Sequence, residues 1–184
     1  MFETAIGGCG IVWSARGVAG VQLPERDREA TRARVLRRFP AAREAVPPPA
    51  VQETIDGVAA LLRGEPRDLG GIVIDDADVP EFNRRVFAIV RKVPPGVTIT
   101  YGQIAEQLGD KALARAVGQA MGENPTPIIM PCHRVLAAGG KTGGFSASGG
   151  VVTKLRLLTI EGAQPGGPTL FEHLPLQVSG RRHR

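Results

Sequence analysis

The residues best suited to covalent chemistry lie in one short segment, 124–135, which reads Asn-Pro-Thr-Pro-Ile-Ile-Met-Pro-Cys-His-Arg-Val. Cys132 and His133 are adjacent in it, and a thiol held beside a base is what a positioned nucleophile requires. Three prolines in seven residues stiffen the approach to Cys132, because each fixes its own φ and disfavours helix at the residue before it. The apolar run 128–130 is expected to anchor this approach in a core.

Two interpretations of Cys132 compete, since a free cysteine is often an inert packing residue. Its neighbours favour the reactive interpretation. Arg134 adds a positive charge, which favours thiolate over thiol, and Pro131 argues against an ordinary buried strand. Cys9 has no nearby Cys or His at a metal-ligand spacing, so no metal site is predicted. A reducing compartment that keeps Cys132 free is expected.

The elements around this segment are predicted to be mostly helical. An amphipathic helix at 80–93 is followed by an extended piece at 97–100 and by helices at 101–108 and 111–122. A glycine-containing turn at 109–110 separates the last two helices, which is the spacing of a helix-turn-helix.

A strip with almost no side chains runs along the second of these helices. Ala114, Gly118 and Gly122 recur every four residues, and Arg115 lies beside them. Such a strip serves close packing of helices, or lets a helix approach a narrow nucleic-acid groove into which a cation projects. The residues by themselves favour packing.

The first 78 residues are predicted to form a small α/β domain with an antiparallel sheet. Glycine-containing turns at 7–8 and 16–17 separate strands near 10–15 and 18–22. Two helices and a short buried strand follow, at 26–38, 50–63 and 72–74.

The second domain is predicted to span 79–168. Its end contains a glycine-rich loop at 137–150 and a last helix at 151–160. The inward face of that helix is predicted to consist of Val152, Leu155, Leu158 and Thr159. Residues 169–184 are predicted to form a flexible basic tail. The whole chain is therefore expected to be an α+β protein.

Charge is distributed unevenly along the chain. Residues 1–79 have a net charge of −2, whereas residues 80–168 carry ten basic and five acidic side chains, a net +5. A basic second half fits a polyanionic partner. No run of 18 apolar residues and no signal peptide is found, so a cytoplasmic protein without membrane contact is expected, as a monomer.

At the motif level the chain resembles a known family. The segment 131–135, Pro-Cys-His-Arg-Val, is the active-site motif of the methylated-DNA–protein-cysteine methyltransferases, which repair guanine alkylated at O6. The sequences Arg-Ala-Val-Gly at 115–118 and Asn-Pro at 124–125 precede it without gaps. The resemblance covers about residues 80–162. It implies a ribonuclease H-like first domain, a winged-helix-like second domain, and double-stranded DNA containing O6-alkylguanine as the partner.

The resemblance also implies roles for individual residues. The alkyl group of O6-alkylguanine, and also of O4-alkylthymine, would move irreversibly to Cys132 after base flipping, without a cofactor. The implied residues fall into three groups. The catalytic group is Cys132, His133, Glu161 and Asn124. The DNA-binding group is Tyr101, Arg115, Ala114 and Gly118. The residues lining the base pocket are Met121, Phe145 and Ser146.

The chain departs from the family pattern in two places. Lys111 stands where the family usually has proline before the recognition helix. Residues 146–148 separate Phe145 from the glycine pair at 149–150, which makes the loop two residues longer than usual. Two other functions are considered: a sensor of alkylated DNA that performs no transfer, and a cysteine hydrolase that uses Cys132 and His133.

Overall fold

The computed structural model describes residues 1–163, and the predicted basic tail at 169–184 lies outside them. The chain begins with an antiparallel sheet of three strands in the order β1 (Phe2–Thr4), β2 (Gly7–Ser14) and β3 (Gly17–Gln22). Gly7 pairs with Thr4 inside the β1–β2 ladder, so the turn predicted at 7–8 is wrong and lies at 5–6. The turn at 15–16 requires Gly17, because its φ is +136° and a Cβ there would meet the Val73 carbonyl oxygen at 2.6 Å.

Two helices follow the sheet. The first, α1 (Arg28–Arg38), is capped at its N-terminus by Asp27, whose side chain accepts a hydrogen bond from the Ala30 amide at 2.7 Å. The second, α2 (Pro49–Leu62), begins with a proline, which has no amide hydrogen to leave unbonded.

The strand predicted at 72–74 is wrong. Ile74 forms only an isolated bridge to Val18, and the Val73 side chain is 68% exposed. A three-residue apolar run carries no periodicity, so it did not reveal whether a neighbouring strand would pair with it.

The remaining elements form a mostly helical unit. They are α3 (Glu81–Val90), β4 (Ile99–Thr100), α4 (Tyr101–Gln107), α5 (Ala114–Gly122), β5 (Val135–Leu136) and α6 (Val151–Ile160). Short 3₁₀ turns occur at Lys111–Leu113, Cys132–Arg134 and Ala138–Gly140.

The helix-turn-helix is formed by α4 and α5. The Thr100 hydroxyl accepts a bond from the Gln103 amide while the Gln103 side chain accepts one from the Thr100 amide. β4 and β5 pair in parallel, which places the segment after Cys132 beside the start of α4. The predicted combination of a small antiparallel sheet with helices is confirmed.

The buried side chains form two main clusters. One lies between the sheet and α2 and also contains Ile128, Ile129 and Leu157. The other lies among α3, α4 and α5 and contains Met130 and Cys132. The segment 128–132 therefore passes from one core into the other, which fixes its position at both ends.

The predicted inward face of the last helix is wrong in part. Val152 is 74% exposed and Leu155 38% exposed, whereas Lys154 is completely buried together with Leu157 and Leu158. The apolar periodicity placed a lysine on the solvent side, and the structure buries it because its ammonium group reaches backbone carbonyls.

Within residues 1–163 no helix is long and apolar enough to cross a membrane.

Candidate active site

The turn that carries Cys132 is organised by Asn124. The Asn124 side-chain amide donates to the Met130 carbonyl at 2.9 Å, and its carbonyl oxygen accepts from the Thr126 amide at 3.0 Å. Ile128, between these contacts, has a φ of +77°, a region that a β-branched residue rarely adopts. Its side chain is fully buried, so packing holds the backbone in this strained shape.

The first half of the chain also holds this turn. The Val21 amide on β3 donates to the Pro125 carbonyl at 2.9 Å. The Arg38 guanidinium at the end of α1 donates to the same carbonyl at 3.3 Å and to the Gln22 side chain at 3.0 Å. Sequence reasoning missed Arg38, because the contact joins residues 87 positions apart and no local pattern links them.

Cys132 lies in the first position of a 3₁₀ turn and is buried. Burial raises the pKa of its thiol, since the thiolate loses hydration. The Asn124 side chain and the positive charge of Lys154 act in the opposite direction and favour the thiolate. The site therefore contains groups that offset part of the cost of ionising a buried thiol.

His133 and Glu161 form a buried pair next to Cys132. The His133 Nε2 and Glu161 Oε1 atoms are 2.9 Å apart, and both side chains are almost inaccessible to solvent. Burial lowers the pKa of His133 even though Glu161 favours its charged form, so the imidazole is neutral near pH 7. Burial opposes ionisation of Glu161, but hydrogen bonds from His133 and Arg134 outweigh it and lower its pKa to about 2.

The protonation of the imidazole follows from these two states. An ionised carboxylate can only accept, so the Nε2 of His133 must donate to Glu161. The other nitrogen, Nδ1, then has a free lone pair. Nδ1 is buried and has no hydrogen-bond partner among the described residues. A basic nitrogen without a partner, one residue from a thiol, is the feature expected of a general base.

Arg134, whose charge was expected to act on Cys132, contacts Glu161 instead. Its guanidinium donates to both oxygens of Glu161, at 2.8 and 2.7 Å, and to the Val93 carbonyl. This charge is therefore used in a bidentate ion pair that fixes Glu161. The Arg134 charge that the sequence indicated as support for the thiolate is therefore balanced by Glu161, and the cation that favours the Cys132 thiolate is Lys154.

A cavity of about 250 Å³ lies against Cys132. Phe145, Ser146 and Asn124 line it. The first two are residues for which the family resemblance implies a place in a base pocket, and that role stays a prediction. Met121 is buried in the same core as Cys132 but does not line the cavity. The other walls come from the first half of the chain, from the end of α5 and the turn after it, and from the extended loop: Val21, Gln22, Leu23, Glu25, Arg34, Arg38, Gly122, Glu123, Pro127, Ala147 and Ser148.

The predicted DNA-binding residues share one region of α4 and α5. Arg115 is exposed, and no carboxylate within residues 1–163 forms an ion pair with it. Gly118 faces Tyr101, whose ring would lie 4.0 Å from an added Cβ, and Ala114 packs partly against the core. Lys111 pairs with Glu106 at 3.1 Å on the exposed surface. Within residues 1–163 no group of three or more His, Cys, Asp or Glu side chains is arranged to hold a metal ion.

The sequence and the fold are similar to those of known proteins. Residues 81–163 match the family described as "6-O-methylguanine DNA methyltransferase, DNA binding domain". A methylated-DNA–protein-cysteine methyltransferase of Methanothermobacter thermautotrophicus is 32% identical over 158 residues, which cover 86% of this chain and 81% of that protein. The protein of the same name from Mycobacterium bovis is 40% identical over 126 residues, 68% of this chain and 74% of that protein.

The chain belongs to the methylated-DNA–protein-cysteine methyltransferase family. Solved structures of the family extend the likeness beyond the matched region. Mycobacterium tuberculosis OGT, crystallised in complex with DNA, has a TM-score of 0.68 and 30% identity, covering 88% of this chain and 90% of its own. The O6-methylguanine-DNA methyltransferase of Pyrococcus kodakaraensis has a TM-score of 0.67 and 31% identity, covering 84% and 91%.

Proposed function

We propose that this methyltransferase repairs DNA by moving the alkyl group from O6 of guanine, and from O4 of thymine, irreversibly to the sulfur of Cys132. The observation that carries the proposal is the buried arrangement of Cys132 beside a cavity, with a neutral His133 held by an ionised Glu161. An inert packing cysteine needs neither the cavity nor the ordered base.

The transfer is a single displacement. The Cys132 thiol loses its proton to Nδ1 of His133 through one water molecule, and the sulfur then attacks the alkyl carbon. The bond between that carbon and O6 breaks, and its electron pair leaves with guanine, which takes up a proton. The product is a thioether on Cys132. Removal of the alkyl group from this thioether would require the Cys132 thiolate to leave, and a thiolate is a poor leaving group. No second thiol lies nearby, because Cys9 is buried in the other core, so each molecule acts once.

Double-stranded DNA is the proposed partner, bound by the second half of the chain. O6 of guanine lies within the base stack, so the nucleotide must be flipped out to reach Cys132, at a cost of a few kcal/mol. The exposed Arg115 on α5 has the length and charge to fill the space that the base leaves. Tyr101 at the start of α4 would contact the adjacent phosphate, and the smooth surface at Ala114 and Gly118 would let α5 approach the minor groove.

The structure also bears on how the chain is divided. We infer a structural domain at 1–78 and a DNA-binding and transfer domain at 79–168, in a protein that acts as a monomer. Support comes from the two buried clusters, one mainly within each half. The ribonuclease H-like and winged-helix-like descriptions of these domains stay predictions.

One stoichiometric assay tests the proposal against its alternatives. Duplex DNA containing O6-methylguanine is mixed with a limiting amount of protein, and the guanine restored is counted per protein molecule. The proposal predicts a plateau at one per molecule. Restoration that continues beyond one would indicate catalytic turnover, as a hydrolase would show, and binding without restoration would indicate a sensor.

A further inference from the structure

Lys154 on α6 is a buried cation that the proposed mechanism does not use. It is the largest fully buried side chain among the described residues. Its ammonium group donates to the Val135 carbonyl at 2.6 Å and to the Gly144 carbonyl at 3.4 Å. Both acceptors are neutral, and no carboxylate within residues 1–163 forms an ion pair with it. A charge taken out of water in this way is costly unless an opposite charge lies nearby.

The groups around Lys154 leave one candidate for that opposite charge. Glu161 is already bonded to Arg134 and His133. Tyr101 on α4 places its ring 5.8 Å from the ammonium group, but burial raises the pKa of its hydroxyl, which stays neutral. His133 is neutral as well. Cys132 remains. It lies in the same buried cluster as Val135, with Tyr101 packed against that cluster, and the ammonium group contacts both of these residues. At this position each of the two charges favours the other.

We propose that the Lys154 ammonium group is the counter-charge that stabilises the Cys132 thiolate in the free protein. Lys154 acts through Cys132 and touches no substrate, so it is a positioning residue. The Cys132 proton leaves by way of His133, and Lys154 keeps its own proton throughout. This inference rests on the proposed role of Cys132 as alkyl acceptor.

The location of Lys154 explains how the charge is kept in place. The Val135 carbonyl lies three residues after Cys132, and the Gly144 carbonyl belongs to the loop beside the cavity. Because both contacts are to the backbone, the ammonium group is held without an acidic partner that would neutralise its field. Burial lowers the pKa of Lys154 to about 8, while Cys132 opposes that change. The lysine therefore remains mostly charged at neutral pH.

The test is the pH dependence of Cys132 alkylation by iodoacetamide, which requires no DNA. Peptide masses distinguish modification of Cys132 from that of Cys9. Substitution Lys154→Met should move the midpoint of the rate profile upward by about one pH unit, since a nearby opposite charge typically shifts a pKa by about 1–3 units. The rate at pH 7 should fall about threefold to tenfold, because the smaller thiolate fraction is partly offset by higher nucleophilicity. At high pH the two proteins should converge.

A purely structural role predicts a different profile. If Lys154→Met slows the reaction equally at every pH and leaves the midpoint unchanged, the proposal is overturned. The matched control is Arg156→Met, which removes an exposed cation from the same helix and should leave the midpoint unchanged. Lys154→Arg, which keeps the charge, should leave the midpoint close to that of the unsubstituted protein.

A reciprocal measurement leaves Lys154 itself intact. Coupling between two titrating groups acts equally on both, so removal of the thiolate must lower the pKa of the lysine. In ¹³C-lysine-labelled protein, the Lys154 pKa measured by NMR should be lower in Cys132→Ser than in the unsubstituted protein. An unchanged value would overturn the proposal even if Lys154→Met does not fold. Methyl transfer from DNA to the unsubstituted protein, measured separately, shows whether the repair function itself stands.

Discussion

The ionised Glu161 is predicted to stabilise the fold as well as the active site. The substitution Glu161→Gln keeps the shape of the side chain and removes its charge. Arg134 would then be a buried cation without its bidentate partner, since both guanidinium contacts to Glu161 lie in a nearly dry environment. Breaking one side of a buried pair typically costs about 3–5 kcal/mol.

The pKa of Glu161 independently gives the size of the contribution that its charge makes to the free energy of unfolding. Its value falls from an ordinary 4.5 to about 2, because hydrogen bonds from His133 and Arg134 outweigh burial. A lowered carboxyl pKa contributes stability that is fully present above the ordinary value and is lost as the pH falls toward the folded value. At 1.36 kcal/mol per unit, the contribution at pH 7 is roughly 3 kcal/mol. At pH 3 it should be roughly half as large.

Urea unfolding of both proteins at several pH values measures this contribution. The free energy of unfolding of Glu161→Gln should be lower by roughly 3 kcal/mol at pH 7, and the difference should shrink as the pH is lowered to 3. The control Glu106→Gln removes a carboxylate from the exposed pair with Lys111 and should change stability little. A difference in the free energy of unfolding that does not depend on pH would rule out stabilisation by the Glu161 charge.

The remaining predictions concern DNA. Arg115→Ala should slow repair of duplex DNA strongly and reaction with free alkylated guanine much less, and equal slowing, measured as the ratio of second-order rate constants, would rule out a flipping role. DNA affinity should fall steeply between low and physiological salt and depend little on sequence, because residues 80–168 carry a net +5; titrations at several salt concentrations test this. Cys132→Ser should abolish transfer and leave DNA affinity nearly unchanged, so a large loss of binding in a gel-shift assay would contradict a purely chemical role for the thiol.

Much of the architecture could be predicted from the sequence, because its signals were local. Helices at 101–108 and 111–122 follow from apolar periodicity and a glycine turn, and the structure places α4 and α5 there. The prolines indicated a stiff approach to Cys132, although not the positive φ of Ile128 within it. These features depend on neighbouring residues, which a single sequence displays directly.

The errors arose where distant parts of the chain meet. Lys154 looked like a solvated residue of an amphipathic helix, and only the folded chain brings two backbone carbonyls to it. The charge of Arg134 looked available to Cys132, but Glu161, 27 residues later, takes it. The contact of Arg38 with Pro125 joins residues 87 positions apart. None of these pairings has a local signature, so periodicity and motif spacing could not predict them.

Peptide mass spectrometry shows whether Cys132 itself accepts the alkyl group. The protein is incubated with an excess of duplex DNA containing O6-methylguanine and then digested. The peptide containing Cys132 should gain the mass of one methyl group, and the peptide containing Cys9 should gain none. Repaired guanine with an unmodified Cys132, or a methyl group on another residue, would contradict transfer to Cys132.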